Sequence, residues 1–136
     1  MLKVKDLMTK KIEYVMPDCE LREVAEIMKD KDIGIVPVCD EEKKLLGVIT
    51  DRDIVIRNIA RNKGDMKAEE IMTRRITTAT PSDNIYEVSK KMAKHKVRRI
   101  PIVENNKLVG IISIADIIIE KEFALEIAEA MFEISK

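Results

Sequence analysis

Apolar and polar positions follow two distinct rhythms along the chain. Residues Leu21, Val24 and Met28 recur every three or four positions after a proline, which predicts one buried face of an amphipathic helix. The runs 33–39 and 45–50 are instead nearly continuous, are rich in β-branched residues and are separated by a few polar residues, as in a β-hairpin. A helical stretch follows the second run and a short strand precedes the first helix. The predicted order is strand, helix, strand, strand, helix.

The same order occurs a second time. Met8-Thr9 recurs as Met72-Thr73, and the strand-forming segment 44–50 recurs as 107–113. The offset between the copies changes by one residue within a polar turn, where a surface loop tolerates a deletion. We therefore interpret the chain as a tandem duplication of one unit.

The duplication defines the predicted domains: residues 1–64 form the first copy and residues 65–121 the second. One copy of this size buries too little surface to be comfortably stable, so we expect the copies to pack sheet against sheet in an α+β fold. Residues 122–136 form an additional amphipathic helix, and its predicted apolar face consists of Leu125, Ala128, Met131 and Phe132. This helix either caps the core of its own chain or contacts another chain, and the sequence leaves both interpretations open.

Composition and charge narrow the class of protein. Of the 136 residues, 46% are hydrophobic and 37% are charged, which excludes a disordered chain. Basic and acidic residues balance at 25 each, which argues against a general nucleic-acid binder. No apolar stretch has the length of a membrane span or the form of a signal peptide, so we expect a cytoplasmic protein. The two cysteines lack the spacing of a metal site, and we expect neither a metal nor a cofactor.

At two positions, both copies of the repeat have a polar residue of the same chemical type. Thr50 and Ser113 each end an apolar strand, and Asp53 and Asp116 follow three residues later at a predicted helix start. A hydroxyl followed by an acid at this spacing is typical of a helix cap. The alternative is a ligand site in which the carboxylate accepts hydrogen bonds from a ribose diol and the hydroxyl meets a phosphate. Spacing alone favours the cap.

A family resemblance favours the ligand site. The segment 47–54, preceded by the strand 35–38, resembles the motif of a cystathionine-β-synthase (CBS) domain, and segments 99–102 and 110–117 resemble it again. The resemblance covers all of the chain except the C-terminal helix and identifies it as similar to a stand-alone tandem CBS pair, or Bateman module. In that family two motifs pack about a pseudo-two-fold axis and bind AMP, ADP, ATP or S-adenosylmethionine.

The resemblance implies a role for each candidate residue. Asp53 and Asp116 are expected to hold the ribose hydroxyls, with Thr50 and Ser113 beside the ribose or phosphate. The residues expected to line the adenine site are Ile12, Val36, Pro37, Ile76, Ile100 and Pro101. It also implies a homodimer and a separate regulated partner protein.

Arginines distinguish the two copies. Arg98 and Arg99 lie directly before a strand, where a guanidinium can form paired hydrogen bonds to phosphate, whereas the first copy has Gly34 and Ile35 there. We therefore predict two unequal clefts. Arg52 is the candidate phosphate ligand of the first copy, and a surface residue in the first helical turn is the alternative.

The functional prediction is a regulatory module that binds an adenosine ligand and signals its occupancy to a partner. No motif of a nucleophile, a phosphate-binding loop or a metal cluster is present in the sequence, so we expect no catalytic residue and no enzymatic activity. The basic stretch 90–99 leaves an alternative: a ligand-independent scaffold or a nucleic-acid-binding module.

Overall fold

The computed structural model describes residues 2–118 and 124–135. The described chain forms two compact units. Residues 13–76 form the one that we call the first unit. Residues up to 12, together with the described residues from 77 onward, form the second unit.

Seven α-helices and four strands are present in the described ranges. The helices are α1 (Val4–Leu7), α2 (Leu21–Lys31), α3 (Asp51–Asp53), α4 (Ala68–Ile71), α5 (Ile85–His95), α6 (Ile114–Ile118) and α7 (Ala124–Ser135). The strands are β1 (Ile35–Cys39), β2 (Leu45–Thr50), β3 (Arg99–Glu104) and β4 (Lys107–Ser113). Helix α3 continues directly into a π-helical segment, Ile54–Ile59. The predicted α+β class, the helix in each copy and the C-terminal helix are confirmed.

Each unit contains one antiparallel hairpin, as the apolar runs predict. Strands β1 and β2 pair with Ile35 opposite Thr50, and β3 and β4 pair with Arg99 opposite Ser113. The long helices α2 and α5 contribute their predicted apolar faces to the two cores, and their Met28 is 8% and Met92 0% exposed. Side chains from one face of a helix and from a hairpin thus form one core per unit.

The first strand predicted for each copy is reduced to a single bridging residue. Val15 donates its N–H to Pro37 O at 3.0 Å and accepts from Cys39 N at 2.9 Å. Ala79 makes the matching bridge to Ile102. A proline follows two residues later in both copies and has no N–H to continue a ladder, so the pairing stops there.

The opposite edge of each hairpin is covered by the repeated Met-Thr dipeptide. Thr73 N–H donates to Val48 O at 2.8 Å and Val48 N–H donates back to Thr73 O at 3.0 Å. Thr9 and Ile111 exchange the same pair of bonds at 2.9 and 3.0 Å. The short helices α1 and α4, which the hydrophobic pattern did not predict, deliver these dipeptides to the edges.

The boundaries of the compact units therefore differ from the boundaries of the sequence repeats. The segment 65–76 begins the second repeat yet packs in the first unit, and the segment before residue 13 packs in the second. In the first unit this packing buries Ala68, Ile71 and Met72, which are at most 6% exposed. The limits 1–64 and 65–121 stay a prediction about the duplication in sequence.

Helix α7 packs against the core of the second unit. Ala130 is 4% exposed within that core, and Ile134 packs against it. The predicted apolar face included Leu125, whose side chain lies outside the described residues. Of its other members, Ala128 is exposed, and Met131 and Phe132 are 39% and 64% exposed, so this face is not the one that meets the core. The contact through Ala130 favours the capping interpretation of the helix.

Close backbone approach requires glycine where the Met-Thr dipeptides cover β2 and β4. A Cβ on Gly47 would lie 2.7 Å from Met72 Sδ and 2.9 Å from Thr73 O. A Cβ on Gly110 would lie 2.6 Å from Met8 Sδ but 3.2 Å from Thr9 O. A methionine side chain can move aside, whereas a backbone carbonyl in a ladder cannot move without losing its hydrogen bonds.

We expect Gly47→Ala to lower the free energy of unfolding by about 3 kcal/mol and Gly110→Ala by about 1 kcal/mol, within the range for overpacking. Urea unfolding of each variant provides the measurement. The added changes Met72→Ala and Met8→Ala are controls that remove the sulfur clash in each case. Measured against the single variant Met8→Ala, addition of Gly110→Ala should be nearly neutral, whereas Gly47→Ala added to Met72→Ala should remain strongly destabilising. Equal rescue of both would contradict the backbone argument.

Candidate functional site

The first hydroxyl–aspartate pair lies where β2 ends and α3 begins. Thr50 N–H donates to Asp53 Oδ2 at 2.9 Å, and Asp53 N–H donates to Thr50 Oγ1 at 3.1 Å. These reciprocal bonds form a capping box, so the helix-start interpretation describes the local structure correctly.

The second pair has the same geometry at the end of β4. Ser113 N–H donates to Asp116 Oδ2 at 2.8 Å, and Asp116 N–H donates to Ser113 Oγ at 3.2 Å. Both aspartates are half-buried. The duplication has therefore kept the conformation as well as the residue types.

A third hydroxyl–aspartate pair lies in the turn before α5 and caps no helix, since Asn84 is the N-cap of α5. Thr80 N–H donates to Asp83 Oδ2 at 2.9 Å, and Thr80 Oγ1 donates to Asp83 Oδ1 at 2.9 Å. Both carboxylate oxygens of Asp83 are thus engaged locally. In the first two pairs the hydroxyl accepts instead, and the second oxygen of the aspartate makes no short hydrogen bond within the described residues.

Two residues that the sequence analysis missed lie near the second oxygen of Asp53. Arg57 Nε is 3.8 Å from Asp53 Oδ1, and Arg57 Nη1 donates to Ile71 O at 3.0 Å. Thr73 Oγ1 is 3.5 Å from the same carboxylate oxygen. The position of Arg57 four residues after Asp53 on a helix was a usable signal. Thr73 had no local signal, because only edge pairing with β2 brings it close.

Asp116 has different surroundings. Within residues 2–118 and 124–135, no side chain donates to its second oxygen. The residue that corresponds to Arg57 in the second repeat is Glu120, which lies outside the described residues. The predicted inequality of the two sites therefore extends beyond the arginines that motivated it.

Two of the candidate phosphate ligands lie next to a hydroxyl–aspartate pair, since Arg52 stands between Thr50 and Asp53 in the sequence. Arg99 faces Ser113 across the β3–β4 hairpin, and the preceding Arg98 accepts the N–H of Ile114 on its backbone oxygen at 2.8 Å. Both arginine side chains are exposed. Arg52 is also exposed, and its backbone N–H donates to Asp51 Oδ1 at 2.8 Å.

The six residues expected to wall an adenine divide by burial. Val36 and Ile100 are completely buried in the two cores, and Pro37 and Pro101 are buried beside them. The two half-buried members of the set are Ile12 and Ile76. In this conformation those two isoleucines have more surface to offer a ligand than the buried strand residues have. The adenine role of all six stays a prediction.

Two open clefts lie at the turn ends of the hairpins. One of about 600 Å³ is lined by Asp40, Glu41 and Glu42 of the first turn, and one of about 550 Å³ by Glu104, Asn105 and Asn106 of the second. Thr50 and Ser113 end the strands at the other end of each hairpin. No predicted ligand residue lines either cleft.

The basic stretch 90–99 is a largely solvated surface. Its lysines and arginines are exposed. Lys91 Nζ donates to Thr78 O at 2.8 Å, and Lys90 Nζ lies 4.9 Å from the centre of the Tyr86 ring. Two of the lysines therefore have partners within their own unit.

Both cysteines are free thiols of low reactivity. The pKa of Cys19 is raised to about 11, mainly by burial and secondly by its hydrogen bond to Glu23. Burial likewise raises the pKa of Cys39 to about 11. A thiol with such a pKa is protonated near neutral pH and is a poor nucleophile or metal ligand. The described residues contain no metal-binding group of three or more His, Cys, Asp or Glu side chains. None of the described helices has the length and apolarity to cross a bilayer.

Comparison with known proteins identifies the family. The family model described as "CBS domain" matches residues 4–58 and again 68–121. The CBS domain-containing protein YhcV of Bacillus subtilis is 36% identical over 122 residues, which cover 89% of this chain and 86% of that protein.

Solved structures agree. The CBS domain pair of protein MJ0100, in complex with 5'-methylthioadenosine and S-adenosyl-L-methionine, is 34% identical and superposes with a TM-score of 0.78 over 86% of this chain and 93% of that one. CBSX2 in complex with AMP is 25% identical, with a TM-score of 0.78 over 94% and 99% of the two chains. The expected resemblance is confirmed on the sequence and on the fold, and the chain belongs to the CBS domain family as a tandem pair.

Proposed function

We propose that this protein is a regulatory module that binds an adenosine ligand at the Thr50–Asp53 and Ser113–Asp116 pairs and signals occupancy to a partner protein. The ligand is AMP, ADP, ATP or S-adenosylmethionine. The aspartates accept hydrogen bonds from the ribose hydroxyls. In the second site, Arg99 binds the phosphate or another anionic group of the ligand. The module binds rather than catalyses.

The observation that carries the proposal is the second carboxylate oxygen of each aspartate. Capping fixes Oδ2 of Asp53 and Asp116 through a backbone N–H at 2.9 and 2.8 Å. The other oxygen has no hydrogen bond shorter than 3.4 Å in the described residues, whereas both oxygens of Asp83, in the turn before α5, are engaged. A carboxylate held in place with one open oxygen is suited to accept hydroxyl donors from a ligand.

The bound ligands of related proteins support the same class. MJ0100 binds two adenosine compounds and CBSX2 binds AMP in their structures. Both superpose on this chain with a TM-score of 0.78, over 86% and 94% of its length. An adenosine moiety is the chemistry common to these ligands.

A homodimer and a separate partner complete the proposal. Val55, Ile56 and Ile59 on the π-helical segment are 51%, 45% and 65% exposed, and adjacent exposed apolar side chains are typical of an interaction surface. We assign this surface to a second copy of the chain. A ligand that binds one arrangement of the two chains more tightly than another shifts the equilibrium between these arrangements. The partner protein then binds one arrangement in preference to the other.

Isothermal titration of the intact protein with AMP, ADP, ATP and S-adenosylmethionine tests the proposal. We expect saturable binding of at least one of the four with a Kd in the micromolar range, about −8 kcal/mol. Adenine alone and ribose 5-phosphate are matched controls that lack one half of the nucleoside. Absence of binding by all four compounds would reject the proposal and favour the scaffold or nucleic-acid alternative, which a salt-dependent shift of RNA through the stretch 90–99 would then test.

A further inference from the structure

Arg57 connects the first hydroxyl–aspartate pair to a segment that leads out of its unit. Its Nε lies 3.8 Å from Asp53 Oδ1, and its Nη1 donates to Ile71 O at 3.0 Å. One guanidinium thus touches both the proposed ribose carboxylate and the last residue of α4. The segment 65–76, which includes Ile71, is the last part of the first unit and ends at residue 76, one of the two points where the chain passes between the units.

A second contact connects the same two places. Thr73 Oγ1 is 3.4 Å from Asp53 Oδ2 and 3.5 Å from Oδ1, and Thr73 is held on the edge of β2 by its two backbone bonds to Val48. These side-chain distances are long for hydrogen bonds to a carboxylate. The carboxylate is nevertheless only 13% exposed. It is therefore shielded from water and incompletely satisfied at the same time.

Ligand binding changes the balance of these contacts. A ribose that covers Asp53 excludes the remaining water, and the attraction between Asp53 and Arg57 strengthens as the local dielectric falls. Arg57 is then held more firmly, and with it the carbonyl of Ile71 and the edge pairing of Thr73.

We propose that Arg57 is a positioning residue that couples ligand occupancy at Asp53 to the docking of the segment 68–73 on β2. The inference rests on the proposed function and adds to it that occupancy of the first site is transmitted to the segment of the first unit that precedes residue 77. The second repeat has Glu120 at the corresponding position, and a carboxylate cannot donate to a carbonyl or pair with Asp116. The coupling therefore belongs to the first site alone.

Amide hydrogen exchange of the intact protein, with and without AMP or S-adenosylmethionine at saturation, tests the coupling. We expect either ligand to slow exchange of the Val48 and Thr73 amides about fivefold, the lower end of ordinary coupling energies. In Arg57→Ala this effect should disappear, while protection of the Thr50 and Asp53 amides persists. By reciprocity the affinity of the first site should fall about fivefold and that of the second site should not change.

Two further variants separate the mechanism from a general loss of charge. Arg61→Ala removes an exposed arginine from the same region and should behave as the wild type. Arg57→Lys keeps the charge but has one donor nitrogen, so it should retain affinity better than Arg57→Ala and still lose most of the effect at Thr73.

Each outcome decides a different claim. If neither of these ligands, nor ADP or ATP in the same experiment, protects residues 50–53, the proposed function fails at this site and the coupling fails with it. If a ligand protects residues 50–53 but leaves Val48 and Thr73 unchanged, the coupling alone is wrong. If Thr73 is protected equally in the wild type and in Arg57→Ala, the coupling does not run through Arg57.

Discussion

Asp116→Asn is expected to lower the affinity of the second site for an adenosine ligand about 100-fold, and Asp53→Asn is expected to do the same at the first. Asparagine keeps the side-chain oxygen that caps the helix, but it removes the negative charge that strengthens hydrogen bonds from a ribose diol. A hydrogen bond to a charged group contributes about 1.5–3 kcal/mol, and loss of about 2.8 kcal/mol is a factor of 100 in Kd. Titration of each variant with the ligand that binds the wild type gives the measurement.

The chain supplies its own matched control for this experiment. Asp83 lies in the turn before α5, accepts the bond from the N–H three residues earlier at 2.9 Å, and has both oxygens engaged. Asp83→Asn therefore removes a carboxylate that accepts the same local bond without touching a proposed site, and the variant should bind the ligand with the affinity of the wild type. Tight binding that survives both Asp53→Asn and Asp116→Asn would show that the ribose assignment is wrong.

A fragment of residues 13–76 is expected to fold, whereas the equally long fragment 1–64 is expected to be unfolded. The first contains a complete compact unit. The second lacks Ile71 and Met72, which are 2% and 6% exposed, and also lacks Thr73 on the edge of β2. Burial of each large side chain contributes about 1.5–3 kcal/mol, and a core of this size supplies only about 3–5 kcal/mol in total.

Circular dichroism during urea unfolding distinguishes the two fragments. Fragment 13–76 should give a cooperative transition, and fragment 1–64 should give none at 25 °C. Ile71→Ala in fragment 13–76 is the internal control, because it removes one of the missing contacts and should lower the midpoint without changing the length of the chain. A cooperative transition of equal midpoint in both fragments would mean that the duplicated sequence, rather than the compact unit, is the folding unit.

The sequence predicted the elements whose signals are local. The period of Leu21, Val24 and Met28 located α2, and the runs of β-branched residues located both hairpins to within two residues. The hydroxyl–aspartate pairs were also found from local spacing. Their two competing interpretations could not be separated by spacing, because a helix cap and a ribose site use the same residues at the same positions.

The sequence pattern could not predict which segments distant in the chain pair with one another. The segment around Met72 and Thr73 contains no run long enough to signal a strand, yet it covers the edge of β2 against Gly47. The contact of Arg57 with Ile71 joins residues on separate elements. Hydrophobic periodicity reports which face of an element is buried, but it does not report which other element buries it.

The sequence by itself determined the duplication, the α+β class, the two hairpins, the family resemblance and the residue types of both sites, since each depends on residues near one another in the chain or on the comparison of two copies. Only the tertiary structure decided where the compact units begin and end and which carboxylate oxygens have no short hydrogen bond within the described residues. It also placed Arg57 and Thr73 beside Asp53. The physical reason is that each of these features depends on hydrogen bonds and packing between segments that only the folded chain brings together.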